Sequence, residues 1–289
     1  MQKLKGIFEI YTKSLNIAKP GDVSELLDTF DSISLNELNK LTPLRRIDKK
    51  YICHKAELPK LLSALLYHYN VLDIQGNRNF KYSNIYFDTK DSVFFISHIN
   101  GKLGRYKVRL RHYHETDENY IEIKHKNNRK ETMKHRIRVP EFDKDCIGEH
   151  YDDISLIIPF TIDKLKPAVY NNYKRITLLK PDIFDKITID FDILTLTSDG
   201  GHISLNNLVI IEHKSVKHSS CKVLNETLKS IQSTSLNLSK YCLSSIMTKQ
   251  HLKYNPYKSK LLTIKKICNG YNSEFSQYAW NSTVNGFSG

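Results

Sequence analysis

The sequence has little of what would place it in several common classes. Its five cysteines, Cys53, Cys146, Cys221, Cys242 and Cys268, are scattered through 289 residues. None forms a CxxC pair, and no Cys/His cluster has zinc-ligand spacing, which excludes a zinc finger or a redox dithiol. The odd number argues against a disulfide framework. No apolar run reaches the roughly 18 residues that a membrane-crossing helix needs. The opening MQKLKGIFEIYTKS lacks the apolar stretch of a secretory signal. Internal repeats, low-complexity tracts, recognition-helix, RRM and KH signatures are all missing. Acidic side chains are also short: 31 Asp and Glu stand against 44 Lys and Arg, a net charge of +13. Such an excess points to an anionic partner, whether nucleic acid, membrane surface or phosphorylated small molecule. The expectation is a cytoplasmic chain with reduced, structural thiols.

Hydrophobic periodicity divides the chain. Residues 1–43 read as a helical segment: Leu4, Ile7, Phe8 and Tyr11 recur at helical spacing, and Asp22/Glu25 and Ser34/Glu37 have capping-box spacing. Leu58, Leu61, Leu62, Leu65, Leu66 and Tyr69 make an apolar stripe on a helix over 55–70, with Pro59 in its first turn. From residue 80 to 215 the period is two. Strands are expected at 46–53, 82–87, 93–98, 104–113, 119–126, 133–139, 171–179, 186–193 and 207–214. Asn100-Gly101, Asn127-Asn128 and Asp199-Gly200-Gly201 are turn signals. Residues 142–169 read as a loop with a short helix, and 222–232 and 237–250 as helices. The division expected is 1–43 helical, 44–250 one β-rich domain, and 251–289 a tail, partly disordered.

The strands share an unusual face. In RYKVRLRHY, Arg105, Lys107, Arg109 and Arg111 alternate with Tyr106, Val108, Leu110 and His112. The pattern recurs in Glu122, Lys124 and Lys126; in Lys134, Arg136 and Arg138; in Tyr173 and Arg175; in Lys186, Thr188, Asp190 and Asp192; in Glu212 and Lys214; and in Arg46, Asp48 and Lys50. One reading is an antiparallel sheet whose charged face meets water. The other is a closed barrel with the charged faces inside. Like charges about 4 Å apart repel by roughly 4 kcal/mol at an effective dielectric near 20, so a cation-lined lumen needs a polyanion. The few acids on that face would hold a divalent metal through oxygen ligands.

The strings RIDKKY (46–51), SNIYFDT (83–89), HINGKLGRYKVRLRHY (98–113), YIEIKHK (120–126), RKETMKHRIRV (129–139), NNYKRI (171–176), ITIDFD (187–192), IIEHK (210–214) and LSKYCLSSIM (238–247) resemble, in order, the VTC domain. This is the polyphosphate-polymerase branch of the triphosphate tunnel metalloenzymes, in the form of a bacterial stand-alone domain. The resemblance implies an α+β fold: an antiparallel β-barrel tunnel of about eight strands with flanking N- and C-terminal helices. It implies transfer of the γ-phosphoryl group of ATP onto polyphosphate, with Mn²⁺ or Mg²⁺. By motif, Lys50, Arg109, Arg111, Lys124, Lys134, Arg136, Arg175 and Lys240 would contact phosphate. Tyr173, Lys186, Lys107 and Lys126 would line the substrate path. Glu212 would be the metal ligand, with Glu122 a helper. Lys186 stands where the family often has arginine, which keeps charge and loses bidentate geometry. Asp48 stands where related chains carry glutamate. Arg46, Asp48 and Lys50 depart from the Glu/Glu/Lys start of related triphosphatases and favour the polymerase branch.

Three alternatives stay open at this point. Water as acceptor would make the chain a tripolyphosphate or nucleoside-triphosphate hydrolase. Without turnover it would be a polyphosphate-binding module. An outward-facing basic surface would suit nucleic acid, which the missing recognition motifs disfavour. The expected partners are ATP and polyphosphate or triphosphate, with no nucleic acid. The expected location is the cytoplasm, either free or peripheral to the inner membrane through a separate membrane protein on which residues 1–43 would dock.

Overall fold

The computed structural model describes residues 23–40, 46–129, 131–158, 165–180, 183–197, 201–216, 222–249 and 251–269. The expected helix around Leu4 to Tyr11, the Asp22/Glu25 cap and the tail beyond residue 269 lie outside the described residues. Two short helices open the described chain, α1 (Val23–Asp28) and α2 (Leu35–Lys40). The Ser34 cap forms as its spacing predicts: Ser34 N donates to Glu37 Oε2 at 2.8 Å, and Glu37 N donates to Ser34 Oγ at 3.3 Å.

The centre is a twelve-stranded sheet. Its strands are β1 (Ser32–Ile33), β2 (Ile47–His54), β3 (Asn70–Leu72), β4 (Phe80–Thr89), β5 (Arg105–Tyr113), β6 (Glu118–Lys126), β7 (Thr132–Val139), β8 (Leu165–Leu179), β9 (Asp185–Leu196), β10 (His202–Leu205), β11 (Leu208–Ser215) and β12 (Thr234–Ser235). The main path runs β12-β2-β11-β9-β8-β4-β5-β6-β7, antiparallel at every step. Among the described residues β7 does not pair with β2 or β12. The antiparallel sheet is therefore not closed among the described residues, and the expected barrel is not shown; β2 and β7 nevertheless border one cavity. The α+β class stands.

Helices pack around the sheet. They are α3 (Leu58–Leu65), α4 (Val93–Ile99), α5 (Cys146–Glu149), α6 (Tyr151–Ser155), α7 (Lys222–Ser230), α8 (Lys240–Thr248) and α9 (Lys258–Asn269), with α8 on the side of the cavity. In α3, Leu58, Leu61, Leu62 and Leu65 are fully buried, each adding about 1.5–3 kcal/mol. The apolar alternation of β5 has the same destination: Tyr106, Val108 and Leu110 pack with Ile121, Ile123, Phe94 and Ile154. With that face committed to the core, the cations of β5 must point the other way.

Three expected elements differ, the first being the tail expected over 251–289, where α9 places Leu261, Ile264 and Cys268 in the core. Residues 93–98 form helix α4 instead of a strand. The carboxylate of Asp88 accepts the N–H groups of Phe94 and Phe95, both at 2.9 Å, and so caps a helix start from the end of β4. The loop expected over 142–169 contains α5 and α6 and gives way to β8 at Leu165. Pro167 hides that start, because proline usually marks a strand edge or a bulge. Here the β4–β8 register shifts between Tyr86 and Phe87, and Pro167 pairs at that irregularity.

Candidate active site

The inward face of the sheet encloses a cavity of about 320 Å³. Ten cationic side chains line it: Lys50, Lys107, Arg109, Arg111, Lys124, Lys134, Arg136, Arg175, Lys214 and Lys240. Three carboxylates face them: Glu122, Asp190 and Glu212. Strand register sets the arrangement. Arg109, Glu122 and Arg136 are directly opposed across β5, β6 and β7. One step along, Lys107, Lys124 and Lys134 form a parallel row with no acid in it. On the other side Arg175 faces Asp190, and Lys50 faces Glu212.

Each carboxylate is held by cations. Glu122 Oε2 accepts from Arg109 Nε at 2.8 Å and Nη2 at 2.5 Å, while Oε1 accepts from the Tyr113 hydroxyl at 3.0 Å. Arg136 lies 3.8 Å away and Arg111 4.0 Å. Burial opposes its ionisation, but Arg109, Arg111 and Lys124 outweigh burial and hold the carboxyl well below its usual range. Asp190 accepts from Arg175 Nε at 2.5 Å and Nη2 at 2.7 Å, and from Lys240. Glu212 accepts from Lys214 at 2.8 Å, with Lys50 at 4.0 Å. Burial works against the ionised form of Glu212 too, and Lys214 and Lys50 keep its pKa low.

The cations outnumber these partners. Lys124 has no hydrogen bond or ion pair among the described residues, and the charge of Arg109, then burial, push its pKa well down. Lys107 donates to Ser239 Oγ at 3.1 Å and Lys50 to the Leu238 carbonyl at 3.0 Å, and burial lowers both pKa values. Aromatic faces carry part of the load. Arg111 donates to the Tyr173 hydroxyl at 2.5 Å and lies over Tyr82 and Tyr173. Lys240 sits 4.5 Å from the Tyr173 ring centre.

The structure thus gathers Lys50, Lys107, Arg109, Arg111, Glu122, Lys124, Lys134, Arg136, Tyr173, Arg175, Glu212 and Lys240 around one cavity. Lys126 is not in its lining; it stands opposite Arg105 at the far end of β5 and β6. Lys186 is outside the lining as well, directly across from Lys214. Burial, then Lys214 and Arg175, push the Lys186 amine down to about 7. Tyr86, Asp190, Lys214 and Ser239 also line the cavity and were not among the expected site residues. Alternation in ITIDFD and IIEHK puts Asp190 and Lys214 on the face of Lys186 and Glu212, which was the available signal.

A metal site can be tested on the donors present. No group of three or more His, Cys, Asp or Glu side chains comes together among the described residues. The hydroxyl of Thr188, directly across from Glu212, is buried and has no hydrogen-bond partner among them. A hard divalent ion held by one carboxylate, with substrate phosphate oxygens filling its shell, fits such a donor set. A resident ion held by protein alone does not.

Helix α8 covers one side of the cavity. Ser239 caps it, accepting from Cys242 N at 3.4 Å. Behind Lys240, the Tyr241 hydroxyl donates to Asp88, the carboxylate that also caps α4.

No helix among the described residues is long and apolar enough to cross a membrane. No curated protein matches the chain. Among solved structures, a Hippeastrum protein described as a proposed adenylyl cyclase with dominant triphosphatase activity aligns at 14% identity and a TM-score of 0.47, over 73% of this chain and 99% of its own. A proposed adenylate cyclase from Bacillus halodurans aligns at 14% identity and 0.46, over 68% of this chain and 94% of its own. Likenesses this distant carry no weight on what this chain does. The sequence profile of the VTC domain, in contrast, matches residues 45–248, a span that holds every strand lining the cavity. The chain belongs to the VTC domain family.

Proposed function

We propose that the chain is a metal-dependent phosphoryl-transfer enzyme of the triphosphate tunnel type, which moves the γ-phosphoryl group of ATP onto a polyphosphate chain. The observation that carries the reading is the cavity itself: ten cationic side chains against three carboxylates, all from opposed strands save Lys240 of α8, in a VTC domain. So large an unbalanced charge in a confined space is costly when empty and suits a polyanion.

Phosphoryl transfer asks little covalent help of a protein; it needs in-line placement and neutralised phosphoryl oxygens. Arg109, Arg111 and Arg175 offer planar forks for bidentate contacts. Lys107, Lys124 and Lys134 offer a row of point charges with few competing partners. Lys50 and Lys240 would close on the chain from the β2 and α8 sides. Glu212, with the Thr188 hydroxyl beside it, would hold the ion that arrives with the triphosphate. A divalent ion bound there supplies charge neutralisation and a bridge between phosphate oxygens. Glu122 and Asp190 serve as counterions that keep the guanidinium forks of Arg109 and Arg175 in one orientation.

The test is to incubate the protein with ATP and Mn²⁺ and to follow polyphosphate and free phosphate separately. Glu212→Ala and the double variant Arg109→Ala/Arg111→Ala are the controls. Polymer in the wild type that vanishes in both variants is the expected result. Free phosphate without polymer would replace the polymerase reading with hydrolysis at the same site. If neither product forms, tripolyphosphate in a thermal melt separates a binder from an inert chain, since ligand at about 100 times Kd adds roughly 2.7 kcal/mol.

A further inference from the structure

Strands β7 and β2 border the same cavity without pairing among the described residues. β7 and β2 stand at or next to the two ends of the strand order, and no backbone ladder joins them among the described residues. Yet Lys134 and Arg136 of β7 and Lys50 of β2 all line the cavity. Lys134 is within electrostatic reach of Arg46, Asp48 and Lys214 on the facing side. Every residue of β7 from Thr132 to Arg136 is exposed, and the guanidinium-bearing side chain of Arg136 is 47% accessible. An edge strand left bare usually invites pairing by another chain. This one instead carries Lys134, Arg136 and Arg138 on the side that continues the cation face.

A fully closed tunnel admits a polymer only end first. A seam with cations on both banks has no such requirement. We propose that an internal segment of a linear polyphosphate enters sideways through the seam between β7 and β2, past Lys134 and Arg46, so that binding needs no free chain end. The ligand class is then wider than a terminal triphosphate: it includes polyphosphate whose ends are capped or attached to another molecule. The inference rests on the polyphosphate reading above. It also has a kinetic consequence. In a long chain, internal segments far outnumber ends, so side entry makes the association rate per chain grow with length, whereas end entry does not.

The experiment compares two ligands on the full chain. One is linear polyphosphate with free ends. The other is the same polymer with both terminal phosphates coupled through phosphoramidates to biotin and capped by streptavidin. Lys124→Met, which removes an inward amine that has no hydrogen bond or ion pair among the described residues, reports whether the polymer lies inside. The expected result is a Kd for the capped chain within about threefold of the free one, with Lys124→Met weakening both alike. A loss of about 100-fold or more on capping would mean end-first entry and would overturn the inference. So would a capped chain whose affinity ignores Lys124→Met, because it would be bound outside. If the free chain itself fails to bind, the proposed function falls and takes this inference with it.

Discussion

Arg175 and Asp190 face each other directly across β8 and β9, joined by two hydrogen bonds of 2.5 and 2.7 Å. Asp190 is 2% accessible and also takes a hydrogen bond from Lys240. One carboxylate therefore ties the sheet to helix α8 through two cations. Removing one member of a buried pair leaves the others uncompensated, at a cost of about 3–5 kcal/mol. Asp190→Asn should lower the stability of the ligand-free protein by an amount of that order in chemical denaturation. Tripolyphosphate should then stabilise the variant more than the wild type, since it finds two more unneutralised cations. Equal stability of variant and wild type would remove the pair from the account of how the cavity stays folded.

Glu212 is the carboxylate directly across from Thr188, whose hydroxyl has no hydrogen-bond partner among the described residues. Glu212→Gln keeps the shape and removes the charge that a divalent ion needs. Triphosphate should still bind without metal, because Lys50 and Lys214 are freed for it. The gain in affinity that Mn²⁺ gives the wild type should disappear. Turnover should fall by about 100-fold or more, the scale of several kcal/mol of metal-borne stabilisation. Calorimetric titration with tripolyphosphate, with and without Mn²⁺, is the measurement; a metal effect that survives in the variant would move the metal site elsewhere.

Lys186 gives a pH signature. Its amine sits at about 7 in the folded chain against the ordinary 10.5, because of burial and then Lys214 and Arg175. Between those values the unfolded chain binds more protons, so this group makes stability rise with pH across that window. Lys186→Met should therefore be more stable than the wild type near pH 7, with the advantage shrinking toward pH 10.5. An anion placed beside Lys214 should raise the pKa of Lys186. Tripolyphosphate binding at about pH 8 should then take up protons, as read from calorimetry in two buffers of different ionisation enthalpy, and less so in the variant. Proton release, or none, would mean the ligand sits away from this corner.

How far the sequence speaks can be judged residue by residue. The period-two pattern of 105–113 was enough to assign the two faces, since Tyr106, Val108 and Leu110 are buried and Arg109 and Lys107 reach the cavity. It could not say whether the sheet closes, because closure depends on register between β7 and β2, which are distant in sequence. Residues 93–98 misled for another reason: VFFISH is apolar enough for a strand, and its helix is started by Asp88, six residues before Phe94 and itself still within β4. Lys126 shows the limit of alternation, which assigns a face but not a depth along the strand. Asp190 was visible on the right face, while its role depends on Arg175 and Lys240, brought together only by the fold.

Tyr241 offers a test of how α8 is held. Its hydroxyl donates to Asp88, which is 1% accessible and also accepts from Phe94 N and Phe95 N at 2.9 Å. The ring stacks on Tyr86 at 5.1 Å, so one residue ties β4, α4 and α8 together. Tyr241→Phe keeps the ring and removes one donor from a buried carboxylate, a loss of about 1–3 kcal/mol. The neighbouring Lys240 keeps its own partner, Asp190, and does not depend on that hydroxyl for its contact. Tyr241→Phe should therefore cost stability in denaturant and change the Kd for tripolyphosphate less than Lys240→Met does. If the two variants weaken binding equally, the Asp88–Tyr241 bond sets the position of Lys240; if stability does not change, Asp88 is satisfied by its backbone donors alone and α8 is held by packing.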